Sequence, residues 1–560
     1  MRQFRWRFER GLQTIAACAG VLCAAAASQA QAGPCENLIN AQLPNATVTS
    51  AVTLSGAVTA PDGKKYPNLP SFCAVSILAT PSGDSAINIV LWMPTAWSGR
   101  FEGTGNGGYA GNIAIDGPAM VYAIKNGIAV AATDMGTTPS SNNDGDAMTG
   151  HPQKWIDFGY RATHVMTVLS KDLIRRFYNR GATYSYFNGC STGGQQALMT
   201  AQRFPADYDG ILGGDPANDR THAHVGVLWI YAQLHRQPTT YLTSSQVSQI
   251  TSSVLQACLK TSGGVPGDTF LTDPSKCHWS AAALACKNGG PANCLKPSQV
   301  IAVNAIYAGP RDPVTHAQLF PGSVRGSENA TSFGWNDTES GNEPQFDSLF
   351  KWVFGLQWQY FQFDYHQSMQ QLDGILAPIL NADNPNLERF NARGGKLMMY
   401  HGWADPLVSP QSTIDYFTNV VKTQGAGKYS AAALRKTQGF FRLFMVPGMN
   451  HCAGGPGPNA FGNQFSGTIA VTDPPSKDAQ HHALTALMQW VEHGRAPDEI
   501  VATKYVNDVR QQGIAMQRPL CPYPQVARYK GRGSTNAAAS FACAGPGALE
   551  AEESHTAHTR

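Results

Sequence analysis

Tyr184-Ser185-Tyr186-Phe187-Asn188-Gly189-Cys190-Ser191-Thr192-Gly193-Gly194 carries the clearest signal of architecture in the chain. Its first half is aromatic and β-prone, its centre spells Gly-x-Ser-x-Gly, and the run from Gln195 to Phe204 (QQALMTAQRF) is helix-prone. Strand, sharp turn and helix in that order are the setting of a nucleophile elbow. The turn strains the serine backbone, and flanking glycines are needed because side chains there would strike the neighbouring strand or helix. Ser191 is therefore the candidate nucleophile. The bare five-residue pattern arises by accident in glycine-rich chains, so the flanking strand and helix carry the assignment.

A chain of 560 residues accommodates a large core plus a second domain. With 42% hydrophobic and 10% aromatic residues it reads as globular, and 14% charged residues leave a surface of neutral polar groups, Gly and Pro. A formal charge of +3, with no Lys/Arg run outside the N-terminus, argues against a nucleic-acid partner. Residues 1–32 read as a secretory signal peptide: Arg2, Arg5, Arg7 and Arg10 form the basic region, Ile15 to Ala27 the apolar region, and Ala30-Gln31-Ala32 the cleavage site. Ile15-Ala16-Ala17-Cys18 resembles a lipobox but lacks the apolar stretch that should precede one. The expectation is an exported protein, periplasmic or secreted, with no transmembrane segment, because no other stretch is apolar for long enough. Of the 12 cysteines, Cys18 and Cys23 leave with the signal; the even set that remains implies disulfides, and no close C-x-x-C pair suggests zinc.

Outward from the elbow, Ile87 to Trp92 and Gly127 to Thr133 read as strands, and Asp157 to Phe177 as a helix leading to the elbow strand. Between them, Gly103-Thr104-Gly105-Asn106-Gly107-Gly108 reads as a loop, too rich in glycine for regular structure and without the helix a dinucleotide fingerprint requires. Ile211 to Asp215, Lys396 to Tyr400 and Phe441 to Val446 continue the strands, and Gln480 to Glu492 is an amphipathic helix. This alternation predicts a mostly parallel sheet. It breaks between about Asn218 and Asn391, where four cysteines, many Asn, Pro and Gly, and an aromatic cluster (Trp352, Phe354, Trp358, Tyr360, Phe361, Phe363, Tyr365) suggest an inserted lid. Most of those aromatics belong to a lid core by default; Trp352, Trp358 and Lys351 are the candidate substrate contacts.

Asp405 follows one late strand and His451 the next, giving the order Ser191, Asp405, His451 of α/β-hydrolases. A serine hydroxyl attacks poorly until an imidazole takes its proton, and that imidazole needs a carboxylate to fix its tautomer. The oxyanion hole is expected from the backbone N–H of Thr192 and one from the glycine loop, with Gly107 as the choice. Cys190 precedes the serine and Cys452 follows the histidine, so a meeting of Ser191 with His451 would bring the two cysteines within bonding distance.

Gly-Cys-Ser-x-Gly-Gly at 189–194, His-Gly-x-x-Asp at 401–405 and Pro-Gly-Met-x-His-Cys at 447–452 together resemble the tannase and feruloyl esterase family, which includes mono(hydroxyethyl) terephthalate hydrolases. Trp97 to Phe101 and Arg518 to Pro524 extend the resemblance over the mature chain. The resemblance implies an α/β-hydrolase fold, disulfide-rich and with a large lid: signal peptide 1–32, first hydrolase segment 33–217, lid 218–391 and second hydrolase segment 392–560. It also implies the disulfides Cys190–Cys452, Cys35–Cys73, Cys258–Cys277, Cys286–Cys294 and Cys521–Cys543. One departure is visible. The family's calcium loop after the first lid cysteine is degenerate here: Cys258 is followed by Leu259, Ser262 and Pro266, and only Asp268 and Asp273 remain as carboxylates. No cofactor is expected for the chemistry, and a metal is expected to be weak or absent.

The leading expectation is a serine carboxylesterase acting on small aromatic acid esters of the tannin or feruloyl type. Its alternatives are a hydrolase of mono(hydroxyethyl) terephthalate, other polyester fragments or peptides, and, in another class, a non-catalytic exported binding protein. Between Arg325 and Arg389 there is no other arginine and Lys351 is the only lysine, which favours neutral phenolic esters over an anionic half-ester. Acyl group, alcohol and oligomeric state are not specified by the sequence.

Overall fold

The apolar runs on either side of the elbow assemble into one nine-stranded mixed sheet. Its strands are β1 (Ala46–Thr59), β2 (Lys65–Ala79), β3 (Ile87–Pro94), β4 (Arg100–Thr104), β5 (Ala129–Thr133), β6 (Tyr184–Cys190), β7 (Gly210–Gly214), β8 (Lys396–Gly402) and β9 (Phe441–Val446). They lie in the order β1-β2-β3-β5-β4-β6-β7-β8-β9. The pairings among β1, β2, β3 and β5 are antiparallel, and from β5 across to β9 every pairing is parallel. The computed structural model describes residues 34–113, 116–138, 142–287, 293–330, 333–335, 344–463 and 472–545. The signal-peptide reading of residues 1–32 lies outside them.

Alternate residues of the central strands face opposite layers, as the strand period requires. Phe187, Ile211, Leu397, Met399 and Leu443 pack in one cluster with residues of helices α1 (Ala162–Tyr178) and α2 (Thr192–Arg203). Tyr186, Leu212, Met398, Tyr400 and Phe444 pack in another with Leu484, Leu487 and Trp490. A parallel sheet covered on both faces leaves the strand ends as the accessible edge, and Ser191, Asp405 and His451 all lie just beyond carboxyl ends.

Between β7 and β8 the described residues form helices and no named strand, beginning with α3 (Arg220–His235) and ending with α4 (Gln367–Leu380) and a short turn of helix, Glu388–Ala392. Part of this segment has a core of its own, including Leu234, Val247, Ile250, Val303 and Trp335. Its aromatic cluster does not: Trp352, Trp358 and Phe363 join the main core. The helix Ser244–Cys258 opens on a capping box of Thr243 and Gln246, a start signal that strand and helix alternation does not register. Disulfides join Cys35 to Cys73, Cys258 to Cys277, Cys286 to Cys294 and Cys521 to Cys543. Among the described residues no helix is long and apolar enough to cross a membrane.

The glycine loop starts later than its composition predicts, because Gly103 and Thr104 belong to β4. Gly103 is a strand residue pressed against a neighbour: a Cβ there would lie 2.2 Å from the Tyr208 hydroxyl. Gly105 serves the elbow, since its Cβ would lie 2.6 Å from Gly193 Cα and 2.9 Å from Gly189 Cα, both backbone atoms that cannot swing aside. Close approach, and not flexibility, accounts for both. Two glycine-to-alanine substitutions should therefore move stability in opposite directions. Gly374 sits in α4 with open space around its Cβ position, so Gly374→Ala should raise stability by about 0.5–1 kcal/mol. Gly105→Ala should lower it by more than about 1 kcal/mol through overpacking. Thermal melts of the two variants check the pair, and equal shifts would contradict the packing account.

Candidate active site

β6 ends at Cys190 and α2 begins at Thr192, leaving Ser191 at the turn with φ 64° and ψ −116°. A non-glycine residue there carries about 1–3 kcal/mol of strain and persists only where its surroundings hold it. Ser191 N–H donates to the Gly214 carbonyl at 2.9 Å, and its own carbonyl accepts from Gln195 N–H at 3.0 Å. Gly189 and Gly193 cross so closely that a Cβ on Gly189 would lie 2.7 Å from Gly193 Cα.

The next two groups come from the turns after β8 and β9. Ser191 Oγ lies 2.8 Å from His451 Nε2, and His451 Nδ1 lies 2.6 Å from Asp405 Oδ2. The other Asp405 oxygen accepts from Leu407 and Val408 N–H at 2.8 and 3.0 Å. Burial opposes ionisation of Asp405, yet His451 and His401 hold its carboxyl well below the ordinary range. Burial likewise opposes a charge on His451, and the Asp405 carboxylate outweighs it, raising the imidazole above 6.5. An imidazole so oriented can accept a proton from the serine hydroxyl while the carboxylate stabilises the resulting cation.

Two further buried groups complete the cluster. His401 Nε2 faces three acceptors, Asp405 Oδ2 and the Val408 carbonyl at 3.1 Å and Asp215 Oδ1 at 3.5 Å, so that nitrogen bears the proton. Its Nδ1 pairs with the Thr413 hydroxyl at 2.8 Å. Asp215 Oδ1 accepts from Gly402 N–H at 2.8 Å, and burial pushes this carboxyl up to about 7. Cys190 is bonded to Cys452, and the Cys190 sulfur lies 3.4 Å from Asp215 Oδ2. His401 stood in the motif that identified Asp405, whereas Asp215 read only as the end of a strand.

A narrow pocket opens beside the serine, lined by Gly108, Ser191, Thr192, Ala217, Arg220, Ala223, His224, Val227, Phe346, Leu407 and Val408. Thr192 opens α2, where a backbone N–H has no partner inside the helix. From the glycine loop it is Gly108 that lines the pocket; Gly107, expected as the second donor, is not among the lining residues. Trp352, Trp358 and Lys351, expected as substrate contacts, also lie elsewhere. Trp352 donates its indole N–H to the Gly145 carbonyl at 2.9 Å and stacks on Trp155, Trp358 stacks on Phe350, and Lys351 pairs with Asp146 and Asp347. The two tryptophans are core residues because the cluster packs inward against Tyr109 and Phe158, and Lys351 is buried with its carboxylate partners. The aromatic that reaches the pocket is Phe346, and the cation is Arg220, from outside the stretch searched for arginine. A roomier pocket, bordered by Lys276, Trp403, Tyr523 and Arg528, is lined by none of Ser191, Asp405 or His451.

The carboxylates left from the calcium loop are turned to protein donors. Asp268 pairs with the buried Arg518 at 2.7 Å and accepts from Val265 N–H at 3.0 Å, while Asp273 accepts from Ser275 N–H at 3.1 Å. That pair does not fit a hard cation wanting six to eight oxygens. Two other groupings, Cys190/Asp215/Cys452 and Asp215/Asp405/His451, bring potential ligand atoms together. In the first the sulfurs are bonded to each other, and in the second His451 is bonded to Asp405.

With this geometry established, comparison with known proteins is specific. The family model described as Tannase and feruloyl esterase matches residues 73–544. An uncharacterized esterase of Xanthomonas campestris pv. campestris is 35% identical over 560 residues, covering 95% of this chain and 94% of its own length. A mono(2-hydroxyethyl) terephthalate hydrolase of Piscinibacter sakaiensis is 31% identical over 547 residues, with 85% of each chain covered. The crystal structure of feruloyl esterase B from Aspergillus oryzae superposes with a TM-score of 0.80 at 28% identity, covering 92% of this chain and 100% of that one.

Non-reduced peptide mapping should recover Cys190 and Cys452 as one linked pair; a free thiol at either position would contradict the bond. Excess chelator should shift the melting temperature by no more than a degree or so, because a ligand without a site in the native state does not stabilise it. A large drop reversed by calcium would show that Asp268 or Asp273 exchanges its present partners for an ion.

Proposed function

From the premise that this chain belongs to the tannase and feruloyl esterase family and is a carboxylic ester hydrolase, we propose that it cleaves small phenolic acid esters through Ser191, His451 and Asp405. The observation that carries this reading is the relay from Ser191 Oγ through His451, 2.8 and 2.6 Å long, beneath a serine held at φ 64°. Ser191 Oγ attacks the ester carbonyl as His451 Nε2 takes its proton. His451 then returns that proton to the departing alcohol oxygen. Water, deprotonated by the same imidazole, releases the aromatic acid and restores the hydroxyl. Asp405 keeps Nδ1 protonated throughout. The amides of Thr192 and Gly108 are the proposed oxyanion donors, since both residues line the pocket beside the serine.

The acyl group would rest on Ala217, Ala223, Val227, Phe346, Leu407 and Val408, an apolar lining suited to a ring. Arg220 is the pocket's cation, but its donors are already turned to His224, Thr192, Gln195 and Gly108. It does not offer a carboxylate the open fork of an unengaged arginine, which supports neutral phenolic esters ahead of an anionic terephthalate half-ester. The similarity to the Piscinibacter hydrolase keeps that half-ester as the second reading. In the same proposal residues 218–391 act as a lid, contributing Arg220 and Phe346 to the pocket. Export rests on the signal-like N-terminus and the five disulfides.

The test is a panel of methyl gallate, methyl ferulate, chlorogenate and mono(2-hydroxyethyl) terephthalate with Ser191→Ala as control. The variant should keep its fold and lose turnover by about 10⁶-fold, and kcat/KM for a neutral phenolic ester should exceed that for the half-ester. Near-normal turnover by Ser191→Ala would overturn the assignment. The pH profile follows from the raised pKa of His451: the base works only when neutral, so kcat/KM should climb with pH through a midpoint above 6.5. Asp405→Asn removes the charge that raises it, so the midpoint should fall while kcat drops about 10⁴-fold.

A further inference from the structure

Arg220 opens α3, is 2% exposed and lines the pocket beside Ser191. Its guanidinium donates only to neutral acceptors: Nε to His224 Nε2 at 3.0 Å, Nη1 to Thr192 Oγ1 at 2.9 Å and Gln195 Oε1 at 3.2 Å, and Nη2 to the Gly108 carbonyl at 3.0 Å. Among the described residues it forms no ion pair with a carboxylate. His224 does not add to the charge. Burial and Arg220 itself keep that imidazole neutral, with Nδ1–H donating to the Phe346 carbonyl at 3.0 Å and Nε2 accepting from Arg220. A buried cation without a counter-ion is costly, and burial lowers its pKa to about 10. The expense is intelligible if an anion appears beside it during the reaction.

Its hydrogen bonds identify where that anion forms. Arg220 grips the Thr192 side chain and the Gly108 carbonyl, and the Thr192 hydroxyl also donates to that carbonyl at 2.6 Å. One guanidinium thus staples the glycine loop to the elbow at the two residues whose amides would receive the oxyanion. We propose that Arg220 is a positioning residue of the oxyanion hole, clamping Gly108 to Thr192 and placing a permanent positive charge beside the tetrahedral intermediate. The inference rests on the reading of Ser191 and His451 as nucleophile and base. A neutral ester carbonyl gains little from this charge in the ground state and the anionic intermediate gains much, so its removal affects kcat and spares KM.

A second signature comes from His451. The groups that act on it are Asp405 and, when ionised, Asp215, whose negative charge raises its pKa, and Arg220, whose positive charge lowers it; His401 acts on the far side of Asp405. Loss of Arg220 therefore makes His451 more basic, and the acid limb of the pH profile moves to higher pH. A role confined to packing would leave that limb in place.

The experiment uses the full chain and its best ester from the panel, comparing wild type with Arg220→Met and Arg220→Lys. Arg220→Met should lower kcat about 100-fold with KM changed less than about threefold, and shift the acid limb upward. Arg220→Lys keeps the charge but loses the fork, so it should keep the wild-type limb with an intermediate kcat. An unchanged kcat in Arg220→Met, a loss confined to KM, or a lower kcat with an unmoved limb would overturn the inference. If Arg220→Met fails to fold, Arg220→Lys decides: wild-type kcat, or a displaced limb, refutes it. Failure of the parent reading is separate, because in that case Ser191→Ala would retain turnover.

Discussion

The bond between Cys190 and Cys452 fixes two chain segments 262 residues apart at the one place where serine and histidine have to meet. Each cysteine is the immediate neighbour of a functional group, so the bond constrains backbone and not merely side chains. Both Ser191 and Cys452 have φ of 64°, a conformation that neither residue type favours. Closing so long a loop removes on the order of 5 kcal/mol of unfolded-chain entropy in the chain-entropy model, of the same order as the strain of about 2–6 kcal/mol that two such residues carry. The approach of Ser191 to His451 is thus held by a covalent tie beside both residues, while the sheet supplies the parallel strand ends from which both turns emerge.

Electrostatics divides two neighbouring carboxylates into different roles. Asp405 and Asp215 are both fully buried and both near imidazoles, yet one is held ionised and the other is pushed up to about 7. The difference lies in their partners. Asp405 receives His451, His401 and two backbone N–H groups, whereas Asp215 Oδ1 receives one backbone N–H and a distant imidazole. Negative charge therefore concentrates on the carboxylate that touches His451. Environments that separate the pKa values of paired acids are the usual means of assigning such roles.

The elbow, the strand ends and the order of Ser191, Asp405 and His451 were legible because each depends on local chain features: glycines where backbones cross, and turns after apolar runs. What was not legible depends on which surfaces meet. Gly103 read as loop because its glycine signals close approach to Tyr208, a residue far away in the chain. Trp352 and Trp358 read as substrate contacts because composition does not say which side of an aromatic cluster faces the core. Arg220 was not legible because one arginine after a strand carries no motif; what distinguishes it is three-dimensional, a buried guanidinium that among the described residues has neutral acceptors and no carboxylate partner.

The pocket's lining nevertheless has a one-dimensional logic. Arg220, Ala223, His224 and Val227 stand at positions i, i+3, i+4 and i+7 of α3, the spacing that places side chains on a single helical face. That face turns toward Ser191 and not toward solvent, so the helix following β7 lines the pocket beside the serine more than the aromatic cluster does. Ala217 and Ala223 are small where they line the space, and Phe346 provides its ring while its carbonyl accepts from both Tyr109 Oη at 2.8 Å and His224 Nδ1 at 3.0 Å. The Phe346 backbone is anchored at two points, and in the proposed reading its ring and the two alanines bound the space for the acyl group. The lining of this pocket thus consists of small residues, one ring and one buried cation, features that hydrophobicity and aromatic content do not reveal.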